Sequence, residues 1–255
     1  MTISACITTH NEELNIERTL KSLDWVNEII LVDCESTDST IEIAQKFRCK
    51  IFSQPNDSNL NVNKNYGFTN TSSDWILCLD ADEVIPKALE QEIKLLLNAR
   101  VKENGFFIKR KNNYFGRFLM HGGNYPDKQL RLFRKNFGKF PAKHVHERLE
   151  VKGKVGILRE HFEHYPYRDI KQYIEKLNFY TTFECGFRLQ QGIKFSIPRF
   201  LMILLSAFFR FLRRYIFKLG FLDGFQGFAA AFFDFVSQIL IQIKLWEAKR
   251  NVRND

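Results

Sequence analysis

Cysteine is scarce in this sequence, and no two cysteines form a C-x-x-C pair. The five cysteines are isolated from one another, and three of them lie inside apolar runs. This spacing argues against a zinc site and against a disulfide framework, so we interpret them as reduced core thiols of an intracellular protein. The first residues contain no basic segment followed by an apolar one, and we therefore predict no secretory signal.

An uninterrupted apolar run of about 18 residues, the length of a spanning helix, is also absent. The last sixty residues are rich in Phe, Leu and Ile, but charged residues such as Arg210, Asp223 and Asp234 interrupt them. Between Cys185 and Leu222 there are seven basic residues and no acidic one. Helices with a wide apolar face and a basic edge favour an interfacial position on an anionic membrane. The alternative is that they pack on the rest of the protein or on a second copy of the chain.

The formal net charge of +9 is compatible with three kinds of partner: nucleic acid, an anionic membrane or a phosphate-bearing substrate. Nucleic-acid binding predicts basic residues that alternate with exposed aromatics along a groove. Here the positive charge is concentrated in a C-terminal helical segment, while the N-terminal part carries clustered acids. We therefore predict no nucleic-acid partner.

The first 85 residues repeat a pattern of a short β-rich run, a polar turn and a segment of helical period. Such alternation predicts an α/β protein with a mostly parallel sheet and helices on both faces. Ligands of these sheets bind beyond the carboxyl ends of the strands. The residues that the pattern places at this edge are Thr8, Thr9, Asn11, Glu12, Asp33 and Asp80 to Glu83.

The segment DWILCLDADEVIP places three acids within four residues at the end of an apolar strand. A helix N-terminus before Pro86 would favour negative charge and would explain Glu83 in part. A glycosidase pair needs carboxylates about 5 to 9 Å apart across a cleft, which neighbours on one strand end rarely supply. The third interpretation is a divalent cation that holds a diphosphate.

Four segments, CITTHNEELNIERTLKSL, EIILVDCESTDSTIEIA, NKNYG and DWILCLDADEVIP, resemble the ordered motifs of family 2 glycosyltransferases of the GT-A fold. NNYFGRFLMHGGNYPDKQLRLFRK, HVHERLEV and FLRRYIFKLGFLDG resemble a narrower group, the bacterial lipopolysaccharide-core β-1,4-glucosyltransferases. The resemblance covers almost the whole chain. It implies a nucleotide-diphospho-sugar transferase fold followed by C-terminal amphipathic helices.

The resemblance also implies which residues bind the donor nucleotide. Thr8, Asn11 and Glu12 would line the nucleotide pocket, and Asp33 would read the base, which is usually uracil in this family. Relatives commonly carry Ser-Gly-Ser after this aspartate, whereas this chain has Cys34-Glu35-Ser36. The loss of glycine restricts the backbone of the turn.

By the same resemblance, Lys64 would lie near the pyrophosphate or the sugar, and Asp80 would contact ribose or sugar hydroxyls. Asp82 would hold Mg²⁺ or Mn²⁺ against the diphosphate, with Asp80 assisting. A metal and a nucleotide sugar would then neutralise the clustered carboxylates.

The expected reaction is inverting transfer, in which a general base receives the proton of the acceptor hydroxyl. Glu147 is the preferred base and Asp127 the second candidate; an ion pair with a neighbouring cation is the alternative role of Glu147. Arg131 and Arg134 are candidates for contacts with a diphosphate or an acceptor phosphate, because a guanidinium matches phosphate oxygens, with surface solvation as the alternative. We predict no zinc site from the histidines at 144, 146, 161 and 164, which lack a carboxylate partner at a fixed spacing.

We expect residues 1–168 to form the catalytic domain, with a nucleotide-sugar part (1–100) and an acceptor-side part (101–168). Residues 169–255 would form the helical, basic and aromatic region. The expected partners are a UDP-sugar, with glucose as the sugar, and a lipid-linked glycan such as the lipopolysaccharide inner core. A protein or another polysaccharide is the alternative acceptor. The expected location is cytoplasmic, peripheral at the inner face of the membrane, and the C-terminal helices could also form a homo-oligomer.

Overall fold

The computed structural model describes residues 1–56, 59–99, 101–141 and 147–251. The chain divides into two compact units. The first consists of Met1–Lys111 and Asp127–Tyr165, and the second of Asn112–Pro126 and Pro166–Asp255.

Alternating strands and helices begin the first unit, as the sequence pattern predicts. The elements are β1 (Ile3–Thr9), α1 (Ile16–Lys21), β2 (Glu28–Asp33), α2 (Thr40–Ala44), β3 (Cys49–Ser53), α3 (Leu60–Thr69), β4 (Trp75–Asp80), β5 (Glu83–Val84) and α4 (Lys87–Asn98). Three long and three two-residue strands follow: β6 (Gly105–Tyr114), β7 (Arg117–Phe118), β8 (Asp127–Arg134), β9 (Gly138–Lys139), β10 (Glu150–Val151) and β11 (Val155–Tyr167). The last parts of β6 and β11, and all of β7, belong to the second unit.

The main sheet has the order β3-β2-β1-β4-β8-β6-β11-β5. The first four strands are parallel, and β8 then pairs antiparallel with β4. All seven residues of β1 are buried, which explains why the strand contains no charged residue, because a parallel strand covered by helices has no solvent face. The four parallel strands therefore bring their carboxyl ends to one edge.

Close packing of α3 against this sheet depends on Gly67. A Cβ atom at this position would lie 2.4 Å from Cys6 Sγ and 3.0 Å from a methyl group of Val32. Only glycine allows the helix to approach β1 and β2 this closely. The approach brings Lys64, three residues earlier on α3, to the end of β4.

Helices α5 (Ile170–Gln190), α6 (Ile197–Leu212) and α7 (Gly224–Asn251) dominate the second unit. Asp169 caps α5 by accepting a hydrogen bond from the Gln172 backbone N–H. A π-helical turn (Arg213–Phe217) and a 3-10 turn (Gly220–Asp223) connect α6 to α7. We call residues 213–223 the α6–α7 turn.

Aromatic and aliphatic contacts join α5 to α7. The rings of Tyr173 and Phe233 stack with their centroids 4.6 Å apart. Cys185 packs with Ile241 and Leu245 in a small buried cluster. Among the described residues, one helical segment, Gly220–Arg250, is long and apolar enough to cross a membrane; a buried helix of a soluble protein can pass the same test.

Candidate active site

Residues at the carboxyl ends of three parallel strands form the candidate site. The register pairs Thr9 of β1 with Asp33 of β2, and Thr8 of β1 with Asp80 of β4. Thr8, Thr9 and Asp33 are buried. The strand-end pattern therefore identified residues that are neighbours in space although they are far apart in sequence.

Three oxygen atoms at this edge are buried and accept or donate no hydrogen bond within the described residues: Thr8 Oγ1, Thr9 Oγ1 and Asp33 Oδ1. The other Asp33 oxygen accepts a bond from the Ser36 backbone N–H at 3.2 Å. A buried polar atom without a partner costs about 1 to 3 kcal/mol, and most such atoms in proteins bind water or a ligand. These atoms suit the donors and acceptors of a nucleoside.

The loops after β1 and β2 are bonded to each other beside these atoms. The Asn11 backbone N–H donates to Ser36 Oγ at 2.9 Å, and Asn11 Oδ1 accepts from the Thr37 backbone N–H at 2.7 Å. The Glu12 backbone N–H donates to Thr40 Oγ1 at 2.8 Å. The structure thus assigns the Asn11 carboxamide to holding the two loops in place.

The turn after Asp33 adopts the backbone that a glycine would favour. Glu35, which stands in the glycine position of the Ser-Gly-Ser run, has a φ of 56°. Its carboxylate accepts a bond from the Asn56 backbone N–H at 3.2 Å. Glu35 therefore keeps the left-handed backbone conformation that glycine would adopt there. This conformation is less favourable for glutamate than for glycine, because its Cβ atom comes close to the backbone.

Protein cations neutralise part of the acidic cluster at the end of β4. Asp80 Oδ1 lies 2.6 Å from Lys64 Nζ, and Asp80 Oδ2 lies 2.7 Å from Arg131 Nη2. The same Arg131 nitrogen lies 2.5 Å from Glu83 Oε1, and Glu83 Oε2 accepts the Asp80 backbone N–H at 3.0 Å. Glu83 therefore braces Asp80 through Arg131, and its contribution to the N-terminus of α4 stays a prediction.

This ion network sets the charge states of its members. Burial alone would raise the pKa of Asp80, but Lys64 and Arg131 outweigh burial and hold that pKa well below its ordinary value. Burial raises the pKa of Glu83, although Arg131 opposes the shift. For Lys64, the nearby Asp80 carboxylate overcomes burial and raises the pKa. Asp80 is therefore a carboxylate, and Lys64 an ammonium, at neutral pH.

Asp82 has a different environment from Asp80. Its Oδ2 atom lies 3.4 Å from Nε2 of His164, a residue of β11. The described residues contain no cluster of three or more His, Cys, Asp or Glu side chains suited to a metal ion. A carboxylate oxygen is nevertheless a suitable ligand for Mn²⁺ or Mg²⁺ when substrate phosphates complete the shell, and an imidazole nitrogen suits the softer Mn²⁺ better than Mg²⁺. The donor set at Asp82 is thus chemically compatible with the expected cation.

Asp127 lies at the start of β8 and is bound to neighbouring side chains. Its Oδ2 atom accepts a hydrogen bond from Arg110 Nε at 2.8 Å and forms an ion pair with Arg110 Nη2 at 2.7 Å. Its Oδ1 atom accepts a second hydrogen bond from Gln129 Nε2 at 2.7 Å. Glu147, the preferred base, is half-buried. It directly follows residues 142–146, which include His144 and His146 and lie outside the described residues.

The structure separates the two predicted phosphate-binding arginines. Arg131 joins the acidic cluster, whereas Arg134 pairs in register with Trp75, at the opposite end of β4 from Asp80. The Arg134 guanidinium lies over the Trp75 ring at 4.6 Å and donates to the carbonyl oxygens of Val101 and Glu103. Arg134 is therefore not brought to the site.

Sequence reasoning missed two contributions to the site. His164 approaches Asp82 because β11 pairs antiparallel with β5, which aligns His164 with Glu83. Arg110 approaches Glu83 at 4.0 Å and holds Asp127. The histidine spacing on β11 was visible in the sequence, but its partner strand was not.

In the second unit, two sequence motifs that lie about ninety residues apart meet. The His121 backbone N–H and Nδ1 lie 2.8 and 2.9 Å from the carboxylate of Asp223, which is buried. The Gly122 backbone N–H donates to the Lys218 carbonyl at 2.8 Å. The His-Gly-Gly loop is thus fixed to the α6–α7 turn.

The fold and the polar strand ends define a class, the proteins of the GT-A fold. The structure of S. aureus TarS 1-349 superposes with a TM-score of 0.51 at 14% identity, over 97% of this chain and 92% of that chain. At this identity the likeness shows the fold alone.

The chain belongs to glycosyltransferase family 2 and is a glycosyltransferase. Residues 4–166 match the model of Glycosyl transferase family 2. An uncharacterized glycosyltransferase of Rickettsia felis is 30% identical over 271 residues, which cover 99% of this chain and 92% of that relative. The lipopolysaccharide core biosynthesis glycosyltransferase LpsC of Rhizobium meliloti is 27% identical, with 96% of this chain and 92% of LpsC covered.

Proposed function

We propose that this protein is an inverting, metal-dependent glycosyltransferase that moves a hexose from a nucleoside-diphosphate sugar to a lipid-linked glycan. The observation that carries the proposal is the set of unsatisfied buried oxygens of Thr8, Thr9 and Asp33 beside Asp80 and Asp82. A nucleoside would satisfy these oxygens, and its diphosphate would extend toward the acids.

The proposed donor is a UDP-sugar. In this assignment Asp33 Oδ1 accepts a hydrogen bond from the N–H group of uracil, the acceptor–donor match that this edge offers. Thr8 and Thr9 complete the nucleoside pocket together with the loop that contains Asn11 and Glu12. Lys64 Nζ lies 2.6 Å from Asp80 Oδ1. Asp80 can therefore bind a ribose or sugar hydroxyl while Lys64 binds a neighbouring phosphate oxygen.

Asp82, with His164 as a second donor, would hold Mg²⁺ or Mn²⁺. When bound, such a cation neutralises the diphosphate and favours its departure. Asp80, which already pairs with Lys64 and Arg131, would act through hydrogen bonds rather than as the main ligand.

Glu147 is the proposed base that receives the proton of the acceptor hydroxyl, and Asp127 is the alternative. Asp127 is the alternative because its carboxylate is already held by the protein, through an ion pair with Arg110 and hydrogen bonds from Arg110 and Gln129. If Glu147 is the base, Glu147→Gln abolishes transfer but preserves nucleotide binding, whereas Asp127→Asn leaves part of the transfer rate.

The proposed acceptor is the lipopolysaccharide inner core, with glucose as the transferred sugar. The support is the role of LpsC in lipopolysaccharide core biosynthesis and the alignment of that relative over most of both chains. A protein or another polysaccharide is the alternative acceptor. We assign residues 1–100 to the donor and 101–168 to the acceptor, and place the enzyme at the cytoplasmic face of the membrane.

The test is turnover of a panel of nucleotide sugars by purified protein with Mg²⁺ or Mn²⁺, measured as release of nucleoside diphosphate. We expect slow hydrolysis of one uridine donor that depends on the metal and disappears in Asp82→Asn. Asp74→Asn is the matched control, because Asp74 precedes β4 at the opposite end and binds Thr2. Equal hydrolysis by wild type and Asp82→Asn would contradict the assignment of Asp82.

A further inference from the structure

Helix α6 exposes an apolar stripe that no described residue of its unit covers. Ile197, Leu201, Leu205 and Phe209 follow one another at intervals of four residues, and each is more than half exposed. Phe217 continues the stripe into the α6–α7 turn with 78% exposure, and Ala207 is the one buried residue that α6 contributes. We call these five exposed residues the apolar stripe. A stripe of this length marks an interaction surface, because soluble proteins rarely expose contiguous apolar area.

The charges around the stripe are of one sign. Arg213 and Lys218, at its C-terminal end, are exposed, and there is no acidic residue between Cys185 and Leu222. Arg210 and Arg214 do not contribute to this surface charge in the same way, because both pair with Asp234, at 3.2 and 3.5 Å. The rim of the stripe is therefore cationic.

This combination selects one occupant. A second copy docked symmetrically on the stripe would bring cations against cations without an acid to compensate them. An anionic lipid surface offers both an apolar interior and the opposite charge. We infer that α6 and the α6–α7 turn bind the surface of an anionic bilayer, with α6, about 24 Å long, lying in the membrane plane.

The surface is connected to the His-Gly-Gly loop. The backbone carbonyl of Lys218, a residue at the cationic rim, accepts a hydrogen bond from the Gly122 backbone N–H. Asp223, at the end of the same turn, accepts hydrogen bonds from His121. A Cβ atom on Gly123 would lie 2.9 Å from Lys218 Nζ, so the loop and the turn fit closely. Membrane binding would thus hold this loop at the level of the lipid headgroups. A role of this loop in reaching the acceptor rests on the proposed lipid-linked acceptor, whereas the test of membrane binding does not depend on that proposal.

The experiment is flotation of the full chain with phosphatidylcholine vesicles that contain or lack phosphatidylglycerol. We expect binding to the anionic vesicles, reduced about tenfold or more by Phe209→Ser with Phe217→Ser. The matched control is Phe179→Ser with Leu95→Ser: Phe179 is 65% exposed, as is Phe209, and Leu95 is 73% exposed, but neither lies on the stripe. Arg213→Gln with Lys218→Gln tests the charge and should weaken binding about fivefold for each cation removed.

Several outcomes would overturn the inference: no binding to anionic vesicles, equal loss in the stripe and control variants, or resistance of the wild type to alkaline carbonate extraction, which would show a spanning helix. If circular dichroism shows that the Phe209→Ser, Phe217→Ser variant is misfolded, vesicle binding by the Arg213→Gln, Lys218→Gln variant decides whether this surface binds the bilayer. A smaller oligomer in place of weaker vesicle binding would identify a second copy as the occupant. UDP binding, measured on the same samples, separates these failures from failure of the proposed transferase function.

Discussion

Replacing Arg131 by methionine tests the ion network that supports the acidic strand end. Lys64 and Arg131 supply two positive charges to two carboxylates, Asp80 and Glu83. Methionine preserves much of the side-chain volume but removes the closest cation of the buried Glu83, which keeps only Arg110 at 4.0 Å, and leaves the half-buried Asp80 with Lys64. Removing one partner of a buried ion pair costs about 3 to 5 kcal/mol, and we expect this loss in the free energy of unfolding.

The double variant Arg131→Met with Glu83→Gln separates charge from packing. It restores one carboxylate and one cation, and the glutamine can still accept the Asp80 backbone N–H, so we expect the loss to fall to about 1 to 2 kcal/mol. The assay is urea unfolding at neutral pH, followed by tryptophan fluorescence, with the exposed Arg168→Met as a control that should behave as wild type. A cost below about 1 kcal/mol for Arg131→Met, or a double variant no more stable than the single one, would refute the reasoning.

Three further predictions concern stability and nucleotide recognition. Burial would raise the pKa of Glu28, but hydrogen bonds from lysine and serine neighbours lower it from 4.5 to about 2. Glu28→Gln should therefore cost about 1 to 2 kcal/mol at neutral pH after allowance for solvent screening, and this difference should vanish as the pH falls from 4.5 toward 2 in a series of urea titrations. Gly67→Ala should lower stability by about 1 to 3 kcal/mol because its Cβ would overlap Cys6 Sγ, whereas Gly186→Ala, with no atom near its Cβ, should raise the melting temperature slightly. Asp33→Asn should weaken UDP binding about tenfold in fluorescence titration, since a charged acceptor is lost, and unchanged affinity would remove Asp33 from the base-reading role.

The parallel half of the sheet and its polar edge could be predicted from the sequence, because both depend on local patterns. Buried parallel strands are continuous apolar runs, and each run ends at a polar turn. Thr9, Asp33 and Asp80 could therefore be assigned to one edge without knowledge of any long-range contact.

The partners of the acids could not be predicted in this way, because they come from antiparallel strands whose register no local pattern specifies. Arg131 and Arg134 look equivalent in the sequence, but β8 runs antiparallel to β4. That direction places Arg134 beside Trp75 and leaves Arg131 near Asp80. His164 reaches Asp82 for a similar reason, through the pairing of β11 with β5.

The correction for the acidic segment follows from these pairings. The sequence interpretation balanced the carboxylates with a metal and a nucleotide sugar alone. The structure shows that Lys64 and Arg131 already balance Asp80 and Glu83, so the proposed cation would chiefly neutralise Asp82. We therefore expect replacement of Asp82 to weaken donor binding without lowering the stability of the fold.

The most direct test of the account is calorimetric titration of the protein with UDP, in the presence and absence of Mn²⁺ or Mg²⁺. The account predicts saturable binding that strengthens with the metal, loss of the metal effect in Asp82→Asn, and wild-type behaviour in Asp74→Asn. A UDP affinity that changes with neither the metal nor the Asp82 substitution would contradict the proposed site. The absence of any UDP binding by the folded wild-type protein would also contradict it.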